Sequence, residues 1–174
     1  AWTTYRTNLE KTVPERHWHQ NDPGVVPNVL ITGAGSPAGL TIYEGTLFPA
    51  PYRSQLLHAE ALHNVVRFYP YQKKGAGYTA RLANLLRSSD QWVRPVDVSV
   101  APDGSVLVAD WYDPGIGGGT AADARKGRIY RVTYGAAKAY RSPRIDVTTP
   151  AGAAGAAEAL KSPNRYVQRL AFDK

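Results

Sequence analysis

Short apolar runs separated by turn residues fill residues 25–134. The runs VVPNVLIT, GLTIYEG, QLLHAE and NVVRFYPY are divided by proline, glycine and asparagine about every 8 to 12 residues, the spacing of antiparallel strands. In DVSVAPDGSVLVADW, Val98 and Val100 alternate with polar residues before Asp103-Gly104, and the apolar alternation then resumes. An Asp-Gly pair suits the positive φ angles of a tight turn, so this stretch predicts a β-hairpin.

A weak internal repeat runs through the same region. Residues 36–40 correspond to 94–98, residues 57–60 to 107–110, and residues 64–67 to 127–131. Each copy predicts a sheet of three or four antiparallel strands, ending in a strand like GRIYRV. Sheets of this kind form the blades of β-propellers, which pack radially around an axis. Two blades cannot close a ring, so we expect the other blades to come from sequence outside these residues or from a partner chain.

The last residues change character and predict helices. AGAAGAAEALKSPNRYVQRLAFDK is helical in composition, with Ser162 as a candidate N-cap and Pro163 at the first helical position. Val167, Leu170 and Ala171 then fall on one helix face. The predicted organisation is a connecting segment at 1–24, β-propeller blades at 25–134, a linker at 135–150 and the start of a helical repeat at 151–174.

Composition narrows the function classes. The 174 residues carry a net charge of +7, but the 21 basic residues are scattered, which argues against a nucleic-acid-binding stretch. The absence of cysteine excludes disulfides, thiolate zinc sites and cysteine nucleophiles within this chain. No apolar run approaches the roughly 20 residues of a membrane helix. The sequence therefore predicts no membrane span in this segment.

Four stretches together carry a family resemblance: NDPGVVPNVLITGAGSPAGLTIYEG, NVVRFYP, RPVDVSVAPDGSVLVADWYDPGIGGG and GRIYRV. They resemble the C-terminal propeller blades of the membrane-bound dehydrogenases of planctomycete and verrucomicrobial type, which are related to soluble quinoprotein glucose and sorbosone dehydrogenases. The tail resembles the HEAT-like repeats that often follow that propeller. The resemblance implies a mainly β fold, in which about two blades of a six-bladed β-propeller precede a short α-helical segment.

The resemblance also implies a cofactor site. The soluble enzymes hold pyrroloquinoline quinone and calcium near the propeller axis, and Arg94 stands where they have a cofactor-binding arginine. Val96 and Leu62 stand where they have a second arginine and a lysine. An alternative is that Arg94 is a structural residue in a salt bridge at the start of its strand. The implied partners are a haem protein or another electron acceptor, and a sugar or glycan. The implied location is periplasmic or exported.

Further candidate site residues are polar side chains at the ends of predicted strands. His58 and Glu60 lie two apart on one face of a strand, where they could reach a ligand at the axis. An alternative is that His58 is a structural, hydrogen-bonded histidine.

The acidic loop after the hairpin is a candidate calcium site. Asp110 and Asp113, with Asp123, offer the oxygen ligands that calcium prefers. In the alternative interpretation, Asp110 caps the turn, Trp111 packs between blades, and the glycines let the chain turn sharply.

Two functions remain open from the sequence. The first is a part of a sugar or alcohol dehydrogenase, in which a cofactor takes a hydride in the intact protein and this fragment alone is inactive. The second is a non-catalytic β-propeller module that binds glycans or proteins. Arg94 and the acidic loop favour the first, whereas Val96 and Leu62 favour the second.

Overall fold

The computed structural model of the chain describes residues 29–30, 32, 36–115, 125–136 and 139–174. Within them, nine strands precede two helices, so the predicted mainly β fold with a helical C-terminal segment is confirmed. The predicted connecting segment at 1–24 lies outside the described residues. The elements are β1 (Pro37–Ile42), β2 (Leu56–Glu60), β3 (Val65–Tyr69), β4 (Tyr71–Lys74), β5 (Gly77–Ala80), β6 (Ala83–Arg87), β7 (Pro95–Val100), β8 (Val106–Asp110), β9 (Arg128–Val132), α1 (Pro150–Ala159) and α2 (Arg165–Phe172).

Antiparallel pairing arranges these strands in two main sheets. The first sheet has the order β1-β2-β3-β6, and the second sheet has the order β7-β8-β9. The hairpin predicted around Asp103-Gly104 is confirmed as β7 and β8, with Val98 opposite Val108. A separate two-stranded hairpin, β4–β5, is inserted between the third and fourth strands of the first sheet. This hairpin was not predicted from the sequence.

The internal repeat is confirmed by the register of the strands. Pro37 lies opposite Glu60 in the first sheet, and Pro95 lies opposite Asp110 in the second. These are the positions that the repeat pairs with each other, and the third strands β3 and β9 follow in the same way. The two sheets are therefore two copies of one strand-by-strand plan, as expected for successive propeller blades.

The hydrophobic core lies between the two sheets. Strands β1 and β7 approach each other closely at Gly39. A Cβ atom at this position would stand 2.6 Å from the Asp97 Cα atom. Only glycine permits this contact between the two backbones. The buried core residues come from both sheets: Tyr43, Phe48, Leu57, Ala59, Val66, Phe68, Val98, Val106 and Val108.

One end of the sheets is closed by a buried tyrosine. The Tyr43 hydroxyl donates to the Gly104 carbonyl at 2.6 Å and accepts from the Phe48 amide at 2.9 Å. Burial raises the pKa of this hydroxyl above its usual value, so it stays protonated and can donate. The bond joins the end of the first sheet to the β7–β8 turn.

Helix α2 docks at that same end. Asn164 caps the helix by accepting from the Tyr166 amide at 3.0 Å, and its side-chain nitrogen donates to the Pro102 carbonyl at 2.9 Å. Arg169 pairs with Glu44 at 2.7 Å. We call this region the helix end, and it comprises Tyr43, Glu44, Pro102–Gly104 and Asn164–Arg169.

The start of helix α2 differs from the predicted one. The predicted N-cap at Ser162 is wrong, because α2 begins at Arg165 and is capped by Asn164. The Asn164 side chain both caps the helix and donates to the Pro102 carbonyl in the β7–β8 turn. The Ser162 hydroxyl instead accepts from the Asn164 amide, before the helix begins. Neither of the helices in the described part of the chain combines the length and apolar composition needed to cross a membrane.

Candidate functional site

The end of the sheets opposite to the helix end gathers most of the predicted site residues. Strands β1, β3 and β7 begin there, and β2 and β8 end there. The arrangement follows from antiparallel pairing, which places alternate strand starts and ends together. We call this region the arginine end, and it comprises Ser36, Glu60–Asn64, Arg67, Trp92–Arg94 and Asp110–Pro114.

Glu60 forms a carboxylate clamp in the first sheet. One of its oxygens, Oε1, accepts from the Ser36 amide at 2.5 Å and from the Leu62 amide at 3.1 Å. The Ala61 amide adds a bond to the Ser36 carbonyl at 3.1 Å. Glu60 is 1% exposed, so these bonds offset much of the cost of burying a charged group. The clamp fixes the start of β1 against the end of β2.

Asp110 forms the same clamp in the second sheet. Its Oδ1 atom accepts from the Arg94 amide at 2.7 Å and from the Tyr112 amide at 2.8 Å. The Trp111 amide donates to the Arg94 carbonyl at 2.9 Å, and the second carboxylate oxygen accepts from the Tyr130 hydroxyl at 3.2 Å. These bonds match the alternative interpretation, in which Asp110 caps the turn. Glu60 and Asp110 therefore occupy equivalent positions in the two copies of the repeat.

Arg94 departs from this equivalence through its side chain, because the matching residue in the first sheet is Ser36. Its guanidinium is buried and reaches the Ala61 carbonyl at 3.4 Å and the Pro114 carbonyl at 3.3 Å. Both bonds are long, and its Nε atom is buried with no hydrogen-bond partner. No ion pair to Arg94 occurs within the described residues. The predicted cofactor-binding arginine is thus a buried cation with unused donors.

A second buried guanidinium belongs to Arg67 in β3. It donates to the His63 Nδ1 atom at 2.9 Å, and its own Nε atom is also buried without a partner. Since arginine only donates, His63 accepts through Nδ1 in this contact. Arg67 was not predicted from the sequence, because β3 is buried on both faces and shows no alternation.

His58 is held by Tyr69 on the neighbouring strand. The His58 Nδ1 atom lies 2.8 Å from the Tyr69 hydroxyl, and both side chains are buried. Burial is the main cause that lowers the pKa of His58, and it raises the pKa of Tyr69. The contact matches the alternative interpretation of His58 as a hydrogen-bonded structural residue. Cofactor contact by His58 or Glu60 stays a prediction.

The three acids of the predicted calcium site are only partly described. Asp113 is 3% exposed, and its Oδ1 atom accepts from the Gly115 amide at 2.9 Å. Asp110 forms the clamp described above, and Asp123 lies outside the described residues. Within the part of the chain that the structure covers, no three histidine, aspartate or glutamate side chains are grouped as metal ligands. Calcium binding by these acids stays a prediction.

Aromatic and cationic side chains crowd the outer side of the arginine end. The Trp92 and Tyr112 rings lie 5.8 Å apart. The Arg128 guanidinium lies 4.2 Å from the centre of the Tyr112 ring, and the Lys126 ammonium lies 5.4 Å from the centre of the Trp92 ring. Trp111 is 64% exposed. Trp111 does not pack between the two sheets described, and its packing against a further blade stays a prediction.

Tyr112 was also missed as a candidate, although its backbone is unusual. Its φ angle of +51° lies in the left-handed region, which a tyrosine seldom adopts. The bond from its amide to Asp110 holds this conformation. Backbone strain of this kind often marks functional segments, but it leaves no signal in a sequence.

A family model describes much of this chain. It matches residues 6–136 and is described as a domain of unknown function, DUF7133. No curated protein matches the chain. Among solved structures, an oxidoreductase of Thermus thermophilus assigned as a glucose dehydrogenase is 18% identical, with a TM-score of 0.46. The match covers 64% of this chain and 29% of that protein. The family model matches more than half of the residues of this chain, so the chain belongs to the DUF7133 family.

Proposed function

We propose that this chain forms blades of a quinoprotein-like sugar or alcohol dehydrogenase, with Arg94 holding an acidic group of pyrroloquinoline quinone. The main support for this proposal is the buried Arg94 guanidinium. Its Nε atom has no hydrogen-bond partner, and it makes no ion pair with the described residues. Buried charges are normally paired. A carboxylate of the quinone would supply the missing partner.

The donor set fits an anionic cofactor in part. Arginine can form paired, charge-assisted hydrogen bonds with a carboxylate, and the two long bonds from Arg94 to carbonyls are weak competitors for those donors. Leu62 and Val96 supply no charge at the positions where the resembled enzymes have cations. Arg67 supplies a second buried guanidinium at the same end. When bound, the quinone accepts a hydride from a sugar or alcohol carbon.

The chain's own residues have supporting roles in this proposal. The Asp110 clamp fixes the Arg94 backbone, so the guanidinium starts from a defined point at the start of β7. The contact between His58 and Tyr69 joins β2 to β3, and the Glu60 clamp joins the start of β1 to the end of β2. Burial of the arginine end lowers its effective dielectric and strengthens attraction for an anion.

The intact protein must supply what these residues do not. We expect further blades in cis or in trans, a base for the substrate hydroxyl, calcium, and a haem protein or other electron acceptor. The C-terminal helices would begin a HEAT-like repeat, and the location would be periplasmic or exported. The 174 residues alone are expected to be inactive.

A second candidate function is a non-catalytic propeller module that binds glycans or proteins. Two observations favour it. The Glu60 and Asp110 carboxylates are engaged by backbone amides, as structural groups are. Two of the positions that carry cations in the resembled enzymes are apolar here.

Calorimetric titration of the complete polypeptide with pyrroloquinoline quinone, with and without calcium, separates these functions. We expect saturable, calcium-dependent binding that Arg94→Ala weakens by about tenfold or more, or 1.4 kcal/mol. Arg81→Ala, which removes an exposed arginine, is the matched control and should bind like the wild type. Absence of binding by the folded, calcium-loaded protein, or wild-type affinity in Arg94→Ala, would overturn the proposal.

A further inference from the structure

The outer side of the arginine end carries an aromatic platform with cations on it. The platform comprises the contacting side chains of Trp92, Tyr112, Lys126 and Arg128, together with Trp111, the neighbour of Tyr112 in the chain. Trp111 exposes 64% of its surface and Trp92 exposes 37%. Large exposed aromatics concentrated in one place are uncommon on a soluble surface unless they bind something.

The platform is held in shape by the fold. The Trp111 amide bonds to the Arg94 carbonyl, and the Asp113 amide bonds to the Trp92 carbonyl at 2.8 Å. Tyr112 is kept in its left-handed conformation by the Asp110 clamp. The aromatic rings are therefore presented on fixed backbone, which reduces the entropy lost when a ligand is bound.

The charges of the platform are positive. The Arg128 guanidinium lies over Tyr112 and donates to the Tyr130 hydroxyl at 3.1 Å. The Lys126 ammonium lies over Trp92. The chain as a whole carries a net charge of +7. An acidic ligand thus matches the exposed Arg128 guanidinium as well as the overall charge.

We infer that this aromatic platform binds an acidic carbohydrate, a polysaccharide that contains uronic acid units. The C–H face of a pyranose ring packs on the electron-rich face of an indole, and the carboxylate pairs with a guanidinium. This inference extends the second candidate function by naming its ligand class. It does not depend on a quinone at Arg94.

Binding of a galacturonic acid oligomer to the complete polypeptide tests the inference. Trp111→Ala should weaken binding by about tenfold, the scale of one lost stacking contact. Arg128→Gln should weaken it by about threefold, as expected for an exposed ion pair. Phe172→Ala and Arg81→Gln, which change an exposed aromatic and an exposed arginine elsewhere, should bind like the wild type.

Three other probes make the outcome decisive. A neutral maltose oligomer of the same length should bind more weakly, which would support the role of charge. Equal binding of polyglutamate would indicate general attraction of polyanions and would overturn the inference. Tighter binding of single-stranded dT oligomers, lost in Trp111→Ala, would assign the surface to nucleic acid instead. Quinone titration of Trp111→Ala, where affinity should be unchanged, separates failure here from failure at Arg94.

Discussion

At the helix end, the buried Tyr43 hydroxyl both donates to Gly104 and accepts from Phe48, whereas at the arginine end the Nε atoms of Arg67 and Arg94 are buried without a partner. Both ends close the same two sheets. At the helix end the chain satisfies the buried hydroxyl with its own groups, whereas at the arginine end the carboxylates are satisfied but two guanidinium groups keep a donor without a partner. Unsatisfied buried groups in a native structure call for an explanation, and a ligand or further chain is the physical one.

The two ends also differ in charge. The helix end pairs Arg169 with Glu44 and Arg131 with Asp103. Burial alone would raise the pKa of Asp103, but hydrogen bonds from Ser105 and Arg131 hold it below its usual value. The arginine end has buried cations whose donors face carbonyls and an imidazole. Buried carboxylates of Glu60, Asp110 and Asp113 lie at this end too, but they are bonded to backbone amides, and Arg94 makes no ion pair with the described residues.

The contact between β1 and β7 supports both ends, so breaking it should have the largest effect. Gly39→Ala would place a Cβ atom 2.6 Å from the Asp97 Cα atom. We expect a loss of about 3 kcal/mol in the free energy of unfolding, because the backbones must move apart. Gly115→Ala is the control, since its Cβ would meet nothing within 4 Å. Equal stability of the two variants in urea titration would show that the sheets do not touch as described.

The helix end should depend on the Tyr43 hydroxyl. Tyr43→Phe leaves the Gly104 carbonyl and the Phe48 amide unpaired in the core, which should cost about 2 kcal/mol. Tyr78→Phe removes a hydroxyl from a half-exposed ring and should change stability by less than about 0.5 kcal/mol. Thermal and urea unfolding measure both. An unchanged free energy of unfolding in Tyr43→Phe would contradict the difference between the two ends.

The arginine end should be sensitive to acid through His58. Burial lowers the pKa of His58 in the folded chain below its usual 6.5, so the unfolded chain takes up a proton first as pH falls. The His58 contribution to stability is therefore complete above pH 6.5 and decreases below it. Urea unfolding at about pH 7.5 and about pH 5.5 should show a smaller pH effect in His58→Gln than in the wild type. Identical pH effects would contradict burial of a neutral His58.

The smallest predicted effect is a gain at the helix end. Ser54 has a φ angle of +59° at the position that matches Gly104, whose φ angle is +85°. Ser54→Gly should raise the free energy of unfolding by about 0.5 kcal/mol, since relief of left-handed strain slightly exceeds the added freedom of the unfolded chain. Differential scanning calorimetry measures the change. A destabilised Ser54→Gly would indicate that the two turns are not equivalent.

Alternating strands and the repeat could be predicted from the sequence. Val98, Val100 and the Asp103-Gly104 turn define the β7–β8 hairpin, because one of its faces is buried and the turn chemistry is explicit. The same pattern did not reveal the β4–β5 hairpin. Its residues, Tyr71–Lys74 and Gly77–Ala80, are mostly exposed and polar, so no buried face marks them.

The candidate site was harder to predict, for physical reasons. Arg94 was found through a motif, but its unpartnered Nε atom depends on the packing of both sheets. Arg67 lies in a strand that is buried on both faces, where a cation is unexpected. The repeat did pair Glu60 with Asp110, but the bonds that each carboxylate forms with backbone amides depend on the fold. The exposure of Trp111 on the two sheets described could not be predicted, because it depends on how the chain turns after β8.

We propose that Arg94 serves to bind an anion rather than to stabilise the fold. Arg94→Met keeps most of the side-chain volume and removes the buried charge. We expect this variant of the complete polypeptide, without quinone, to be as stable as the wild type or about 1 kcal/mol more stable. With quinone and calcium in excess, only the wild type should gain stability, by about 2.7 kcal/mol at a ligand concentration one hundred times Kd. A loss of more than about 2 kcal/mol in Arg94→Met, with no stabilisation of either protein by quinone, would make Arg94 a structural residue and contradict the account.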